Sequence, residues 1–272
     1  MTRNFYVHIV ESPSPDELMD GRSEGQALCA FLASARIPYA YFVAVDKVRL
    51  RATLTDRIAQ APNNFGGLPP ILHISSHGGP DGIQLTHQRD TNEIVRWDEL
   101  AGLIRPIHLN HADIGGIGVC LSCCNGAHGQ RMVEVPIKQD VPFTWLVGKH
   151  TTIDVHDAAL AYAVFYRRFQ TGCNDVDQMV HAMNGAIDSD DFTIVHGESR
   201  QEQYTYEQVR RWLATHPPQP SAYGYTPPYP GSAATAASAY GSLYSSLVGP
   251  APGPVSGYGL YDHLLGGQSP GS

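Results

Sequence analysis

The sequence has no apolar run approaching 18 residues, the length a membrane-spanning helix needs. Its first apolar stretch, residues 5–10, carries His8 and is too short for the h-region of a secretory leader. Basic residues are scarce: 18 Lys and Arg stand against 26 Asp and Glu, giving a formal net charge of −8. Such a chain is repelled by polyanions, so neither nucleic acid nor a membrane surface is expected as a partner. There are only five cysteines, and three of them crowd into positions 120, 123 and 124. An odd count with adjacent cysteines argues against a disulfide framework, so a reducing, cytoplasmic setting is expected.

The end of the chain is also short of charge. Residues 217–272 contain no Lys or Arg and a single acid, Asp262, yet hold 10 of the 20 Pro, 10 of the 27 Gly and 7 of the 14 Tyr. A segment of that composition cannot bury enough apolar surface to offset its backbone entropy. It reads as a disordered, low-complexity tail over residues 216–272, rich in Tyr, Gly, Pro and Ser. The domain proper then occupies residues 1–215.

What that domain does have is alternation. Strand-like runs at residues 5–10, 39–45, 71–75, 117–122 and 143–148 are separated by segments with helical spacing of apolar residues. Helices are expected at 21–35, along Leu50, Leu54 and Ile58 with an end before Pro62, and at 98–104. Another runs from an Asp154 N-cap along Ala158, Ala161, Tyr162, Phe165 and Phe169, followed by helices at 176–186 and 206–213. Residues 82–86 and 93–97 read as a short β-excursion. The class is α/β: a mostly parallel sheet with helices on both faces.

Two of the strands stop at reactive residues. Ile71 to Ser75 leads to His77-Gly78-Gly79, and Ile117 to Ser122 leads to Cys123-Cys124-Asn125-Gly126. Open α/β sheets carry their sites outside the carboxyl ends of the strands. Neighbouring strands ending in His and Cys bring a general base and a thiol to one edge, which is what a cysteine hydrolase needs. Strand alternation puts Cys120, Ser122 and Cys124 on one face and Cys123 on the other. Cys124 stands last before the Asn125-Gly126 turn signal, where its sulfur is exposed. His73, inside the strand, reads as a buried, hydrogen-bonded residue. Cys120, Cys123, Cys124 and His128 could in principle supply one zinc ion, but the spacing is wrong for a zinc knuckle and no second cysteine pair exists. No metal or other cofactor is expected.

The block Leu72-His73-Ile74-Ser75-Ser76-His77-Gly78 resembles the histidine block of caspase-fold cysteine peptidases, above all their bacterial CHAT-type branch. Leu121-Ser122-Cys123-Cys124-Asn125 is similar to that branch's cysteine block, usually Leu-Ser-Ala-Cys. The resemblance runs in order over residues 5 to 200 and leaves out the tail. It implies a caspase-like fold and endopeptidase activity on protein or peptide substrates. Cys124 would be the nucleophile and His77 its proton-transfer partner, with the backbone N–H groups of Gly78 and Cys124 as oxyanion hole.

The sequence also departs from the family pattern. Cysteine replaces the usual small residue at 123, which leaves Cys123 as the alternative nucleophile. Ser122 occupies the position where Arg-cutting relatives carry an acid. Asp154 is the nearest acid by segment order, so Ser122 and Asp154 are the pocket candidates and an uncharged P1 residue is expected. The companion domains that often accompany such modules are absent from the sequence, so either a stand-alone effector or a member with a separately encoded sensor or regulator is expected. The rival expectation is a catalytically inactive module of the same fold that binds a partner through its tail.

Overall fold

A computed structural model describes residues 5–88, 91–134, 140–173 and 175–215. The tail expected at residues 216–272 lies outside the described residues. Among the described residues eight strands form one sheet. Six of them are ordered β2(Tyr39–Val43), β1(Tyr6–Ser12), β3(Pro70–Gly79), β6(Gly118–Ser122), β7(Trp145–Lys149), β8(Phe192–His196). The pairs β1/β2, β1/β3, β3/β6 and β6/β7 are parallel, and β8 closes the edge antiparallel to β7. A hairpin of β4(Gly82–Gln88) and β5(Thr91–Arg96) pairs antiparallel with the far end of β3. The helices are α1(Pro15–Met19), α2(Glu24–Ala35), α3(Lys47–Ala52), α4(Ile58–Phe65), α5(Trp97–Leu109), α6(Val155–Gln170), α7(Val176–Ala186) and α8(Gly197–Thr215).

Period-two alternation in the central strands builds two cores, one on each face of the sheet. On one face Val10, Leu72, Ile74, Val119, Leu121 and Leu146 meet Leu50, Leu54 and the apolar side of α5. On the other, Val7, Ile9, Ile71, Cys120, Trp145 and Val147 meet Leu28 and Leu32 of α2 and the aromatic stripe of α6. Each fully buried Leu, Ile or Phe contributes roughly 1.5–3 kcal/mol, so the two layers hold the strand register firmly.

The fold class expected from sequence is the one observed, with four local corrections. The helix expected to stop before Pro62 continues to Phe65, through a π-helical turn at Thr53–Arg57. Its stop is the pair Gly66 and Gly67, whose φ values of 61° and 79° terminate a helix without a Cβ penalty. The second is β3, which does not end at Ser75. Beyond Ser76 it leaves β1 and stays extended by pairing with β4, so His77 lies within the strand. α8 starts at Gly197 rather than 206. Finally, β8 has no counterpart in the sequence-based expectation.

The chain passes from β1 to β2 on one side and then places β3 on the other side of β1. This reversal is the topological switch point, where the loops leaving neighbouring strands diverge and open a crevice.

Candidate active site

A cleft of about 100 Å³ sits at that crevice, lined by the ends of β1 (Glu11, Ser12), β3 (Ser75, Ser76, His77) and β6 (Ser122, Cys124). Glu17 and Arg22 from the α1 region, Glu24 of α2, and Ile153, Val155 and Ala158 at the start of α6 complete it.

Register and the turn after β6 together bring His77 and Cys124 to the cleft. In the parallel ladder His73 faces Cys120 and Ser75 faces Ser122. The ladder stops there: β3 runs on through His77, paired with β4, while β6 ends at Ser122 and the turn that follows it carries Cys124 to the same cleft. Beyond β6 the chain turns sharply: Gly126 N–H donates to Cys123 O at 3.1 Å. Asn125 takes φ 58° in this turn, a left-handed conformation that Asn tolerates better than most residues. Cys124 is thereby half-buried at the cleft wall, while Cys123 is 1% exposed in the opposite core.

β3 and the turn are in direct backbone contact. A Cβ on Gly78 would overlap the carbonyl oxygen of Cys124 and the Cβ and Sγ of Cys123. Only glycine lets the two chains approach this closely.

The three clustered cysteines therefore diverge. Cys120 is wholly buried, and burial pushes its thiol up to about 12. Burial likewise raises Cys123 well above the ordinary thiol range. Both are inert core thiols. Among the described residues no group of three or more His, Cys, Asp or Glu is placed to hold a metal ion.

Glu17 is a residue sequence reasoning missed. Its Oε2 stands 3.5 Å from His77 Nε2, and it is held there by accepting the Ser14 N–H at 2.6 Å in a capping box at the start of α1. The signal was available as Ser14-Pro15-Asp16-Glu17, the Ser-x-x-Glu pattern of such a box. Below the cleft a polar chain runs into the core. Ser75 Oγ donates to Glu24 at 2.5 Å, His73 Nε2 lies 3.2 Å from the other Glu24 oxygen, and His73 Nδ1 lies 3.0 Å from Tyr166 OH. His73 is fully buried, as expected from its place inside the strand.

The two pocket candidates separate. Ser122 lines the cleft, 3% exposed, and its Oγ has no hydrogen-bond partner. Asp154 does not line it. Its carboxylate caps α6, accepting from His156 N–H at 2.8 Å, because the first turn of a helix leaves N–H groups to be satisfied. The acids that do line the inner cleft are Glu11 and Glu24, 2% and 4% exposed, neither of which sequence reasoning singled out. Their partners Tyr41, His73 and Ser75 lie 30, 49 and 51 positions away, so no local spacing pattern announces them. No helix among the described residues is long and apolar enough to cross a membrane. Comparison of the chain with protein-family models gives no match, and comparison with curated proteins gives none either.

Proposed function

We propose that the protein is a caspase-like cysteine endopeptidase of the CHAT type, with Cys124 as nucleophile and His77 as proton-transfer partner. The observation that carries this reading is the shared cleft: a half-buried thiol and an imidazole line one crevice just beyond the paired ends of β3 and β6. Cys124 Sγ attacks the scissile carbonyl carbon, and its proton passes to His77. His77 then protonates the leaving amine as the C–N bond breaks, leaving a thioester that water hydrolyses. The backbone N–H groups of Gly78 and Cys124 are the donors assigned to the oxyanion. Glu17, whose Oε2 stands 3.5 Å from His77 Nε2, gives the imidazolium that forms in this cycle a fixed carboxylate. The chemistry requires no metal or cofactor.

The test is covalent labelling with a peptide bearing an electrophilic carbonyl, read by intact mass and peptide mapping. One adduct on Cys124, lost in Cys124→Ala and strongly slowed in His77→Ala, is the expected result. Labelling spread evenly over Cys29, Cys124 and Cys173, unaffected by His77→Ala, would remove the basis for the dyad.

A further inference from the structure

The inner cleft holds two buried carboxylates that form no ion pair with a lysine or arginine among the described residues. Glu11 Oε2 accepts from Ser23 Oγ and Tyr41 OH, both at 2.6 Å, and Oε1 accepts from Gly25 N–H at 2.9 Å. Burial and the Glu11 carboxylate push the Tyr41 phenol up, so it stays a donor. Glu24 meets His73 and Ser75. Arg22, the one lysine or arginine among the described residues lining the cleft, has its guanidinium on Asp20 at 2.8 Å, with both groups about half exposed.

Carboxylates gathered in a crevice and supplied only with hydroxyl, amide and imidazole partners are costly unless a cation completes them. A carboxylate offers about four lone-pair sites. Three donors already serve Glu11 and two serve Glu24, so about three sites remain between them. Ser122 supplies an independent sign of a missing ligand: a buried hydroxyl lining the same cleft with no partner. Buried hydroxyls are nearly always hydrogen-bonded. Three open acceptor sites and one open hydroxyl match an ammonium with three N–H groups or a guanidinium with five.

We propose that the inner cleft is a P1 pocket for a basic side chain, lysine or arginine, in which Glu11 and Glu24 hold the cation and Ser122 Oγ accepts one of its protons. This rests on the peptidase reading for the bond that is cut, and it replaces the uncharged P1 residue expected from Ser122 and Asp154 alone. The pocket opens next to Cys124 and His77, so a side chain seated in it leaves its own carbonyl carbon at the thiol. The donors already on Glu11 and Glu24 hold both carboxylates in place before any substrate arrives, so little ordering is left for binding to accomplish.

The experiment uses the full chain and fluorogenic peptides differing only at P1: Arg, Lys, citrulline and norleucine. Citrulline keeps the shape of arginine without its charge. Cleavage after Arg or Lys should exceed cleavage after citrulline or norleucine by at least about 100-fold in kcat/KM, because a site built for polar contacts rejects an analogue that leaves them unpaired. Glu24→Gln and Glu11→Gln should each collapse that ratio by about tenfold or more, and Ser122→Ala should lower it by a few-fold. A variant that is merely misfolded lowers all four rates together and leaves the ratio alone. Equal cleavage after norleucine and arginine in the parent, or an unchanged ratio in all three variants, overturns the proposal and leaves the peptidase reading standing. Independently, Cys124→Ala protein is titrated with Nα-acetylarginine methylamide and its citrulline counterpart. Binding of the arginine probe alone, when the parent protein cleaves none of the peptides, keeps the cation pocket and removes the peptidase. Binding of neither, with no cleavage, removes both.

Discussion

Ser75 of β3 and Ser122 of β6 are direct partners in the parallel ladder, and both line the cleft. They differ in what they touch. Ser75 Oγ donates to Glu24, whereas Ser122 Oγ touches no partner. Two residues beyond each stand His77 and Cys124, so this pair marks the floor of the candidate site. A register slip of one residue would turn both strands' polar residues into the opposite core.

Ser122→Ala tests that difference. A buried hydroxyl without a partner costs free energy, so its removal should leave stability unchanged or raise it by up to about 1 kcal/mol. Ser75→Ala deletes a donor to a buried carboxylate and should cost about 1–3 kcal/mol. Urea midpoints of the two variants give the comparison. Ser122→Ala turning out the less stable of the two would mean that its hydroxyl is satisfied.

Glu17 faces His77 at 3.5 Å and touches no other part of the proposed reaction. Glu17→Gln keeps the residue type that a capping box accepts while removing the charge. The expected result is a kcat about tenfold lower, with KM and the melting temperature nearly unchanged, since the lost interaction acts on a charge that forms during the reaction. A raised KM with unchanged kcat would assign Glu17 to substrate binding.

His8 gives the fold an acid-sensitive point away from the cleft. It is fully buried beside Phe42 and Tyr6, and burial lowers it from 6.5 to about 4, with the Thr53 backbone acting in the opposite direction. The unfolded chain therefore binds this proton more readily than the folded one. Its contribution to stability is complete above pH 6.5 and is lost as the pH falls from there toward 4, on the order of 3 kcal/mol at full effect. Chemical denaturation across pH 7 to 4 should show a shallower decline for His8→Leu than for the parent. Parallel declines would rule out His8 as the source.

The layout of the sheet was legible because strands buried on both faces read as short apolar runs between helical repeats. Phe5 to Val10 and Ile117 to Ser122 announce themselves in this way. β8 did not, since five residues at an antiparallel edge, with Thr193 and Ile194 only half-buried, carry little pattern. Pro62 misled because a proline usually ends a helix, whereas here Gly66 and Gly67 do. At the site, His77 and Cys124 were legible as reactive residues after apolar runs, ahead of Gly78-Gly79 and Asn125-Gly126, although β3 itself runs on through His77. Glu11, Glu17 and Glu24 were not, because their meaning lies in what the topology brings to them. Glu24 meets His73 across 49 positions of sequence, and no local spacing encodes such a contact.

The two adjacent thiols offer the sharpest division between packing and chemistry. Cys123 lies under Gly78 in the core against α5, with its thiol raised by burial. Cys124, one residue on, turns to the cleft that holds His77. Cys123→Ala removes a buried sulfur and should cost about 1 kcal/mol, lowering the melting temperature by about 2–4 °C for a domain of this size. Peptide cleavage should persist in that variant, because the cleft keeps both reacting groups. Cys124→Ala should show the reverse pattern: an unchanged melting temperature, no cleavage and no covalent adduct. The paired measurement separates the roles, since each variant is expected to disturb what the other spares. An inactive Cys123→Ala of normal stability beside an active Cys124→Ala would shift the nucleophile by one residue, and with it the face of β6 on which the chemistry is carried out.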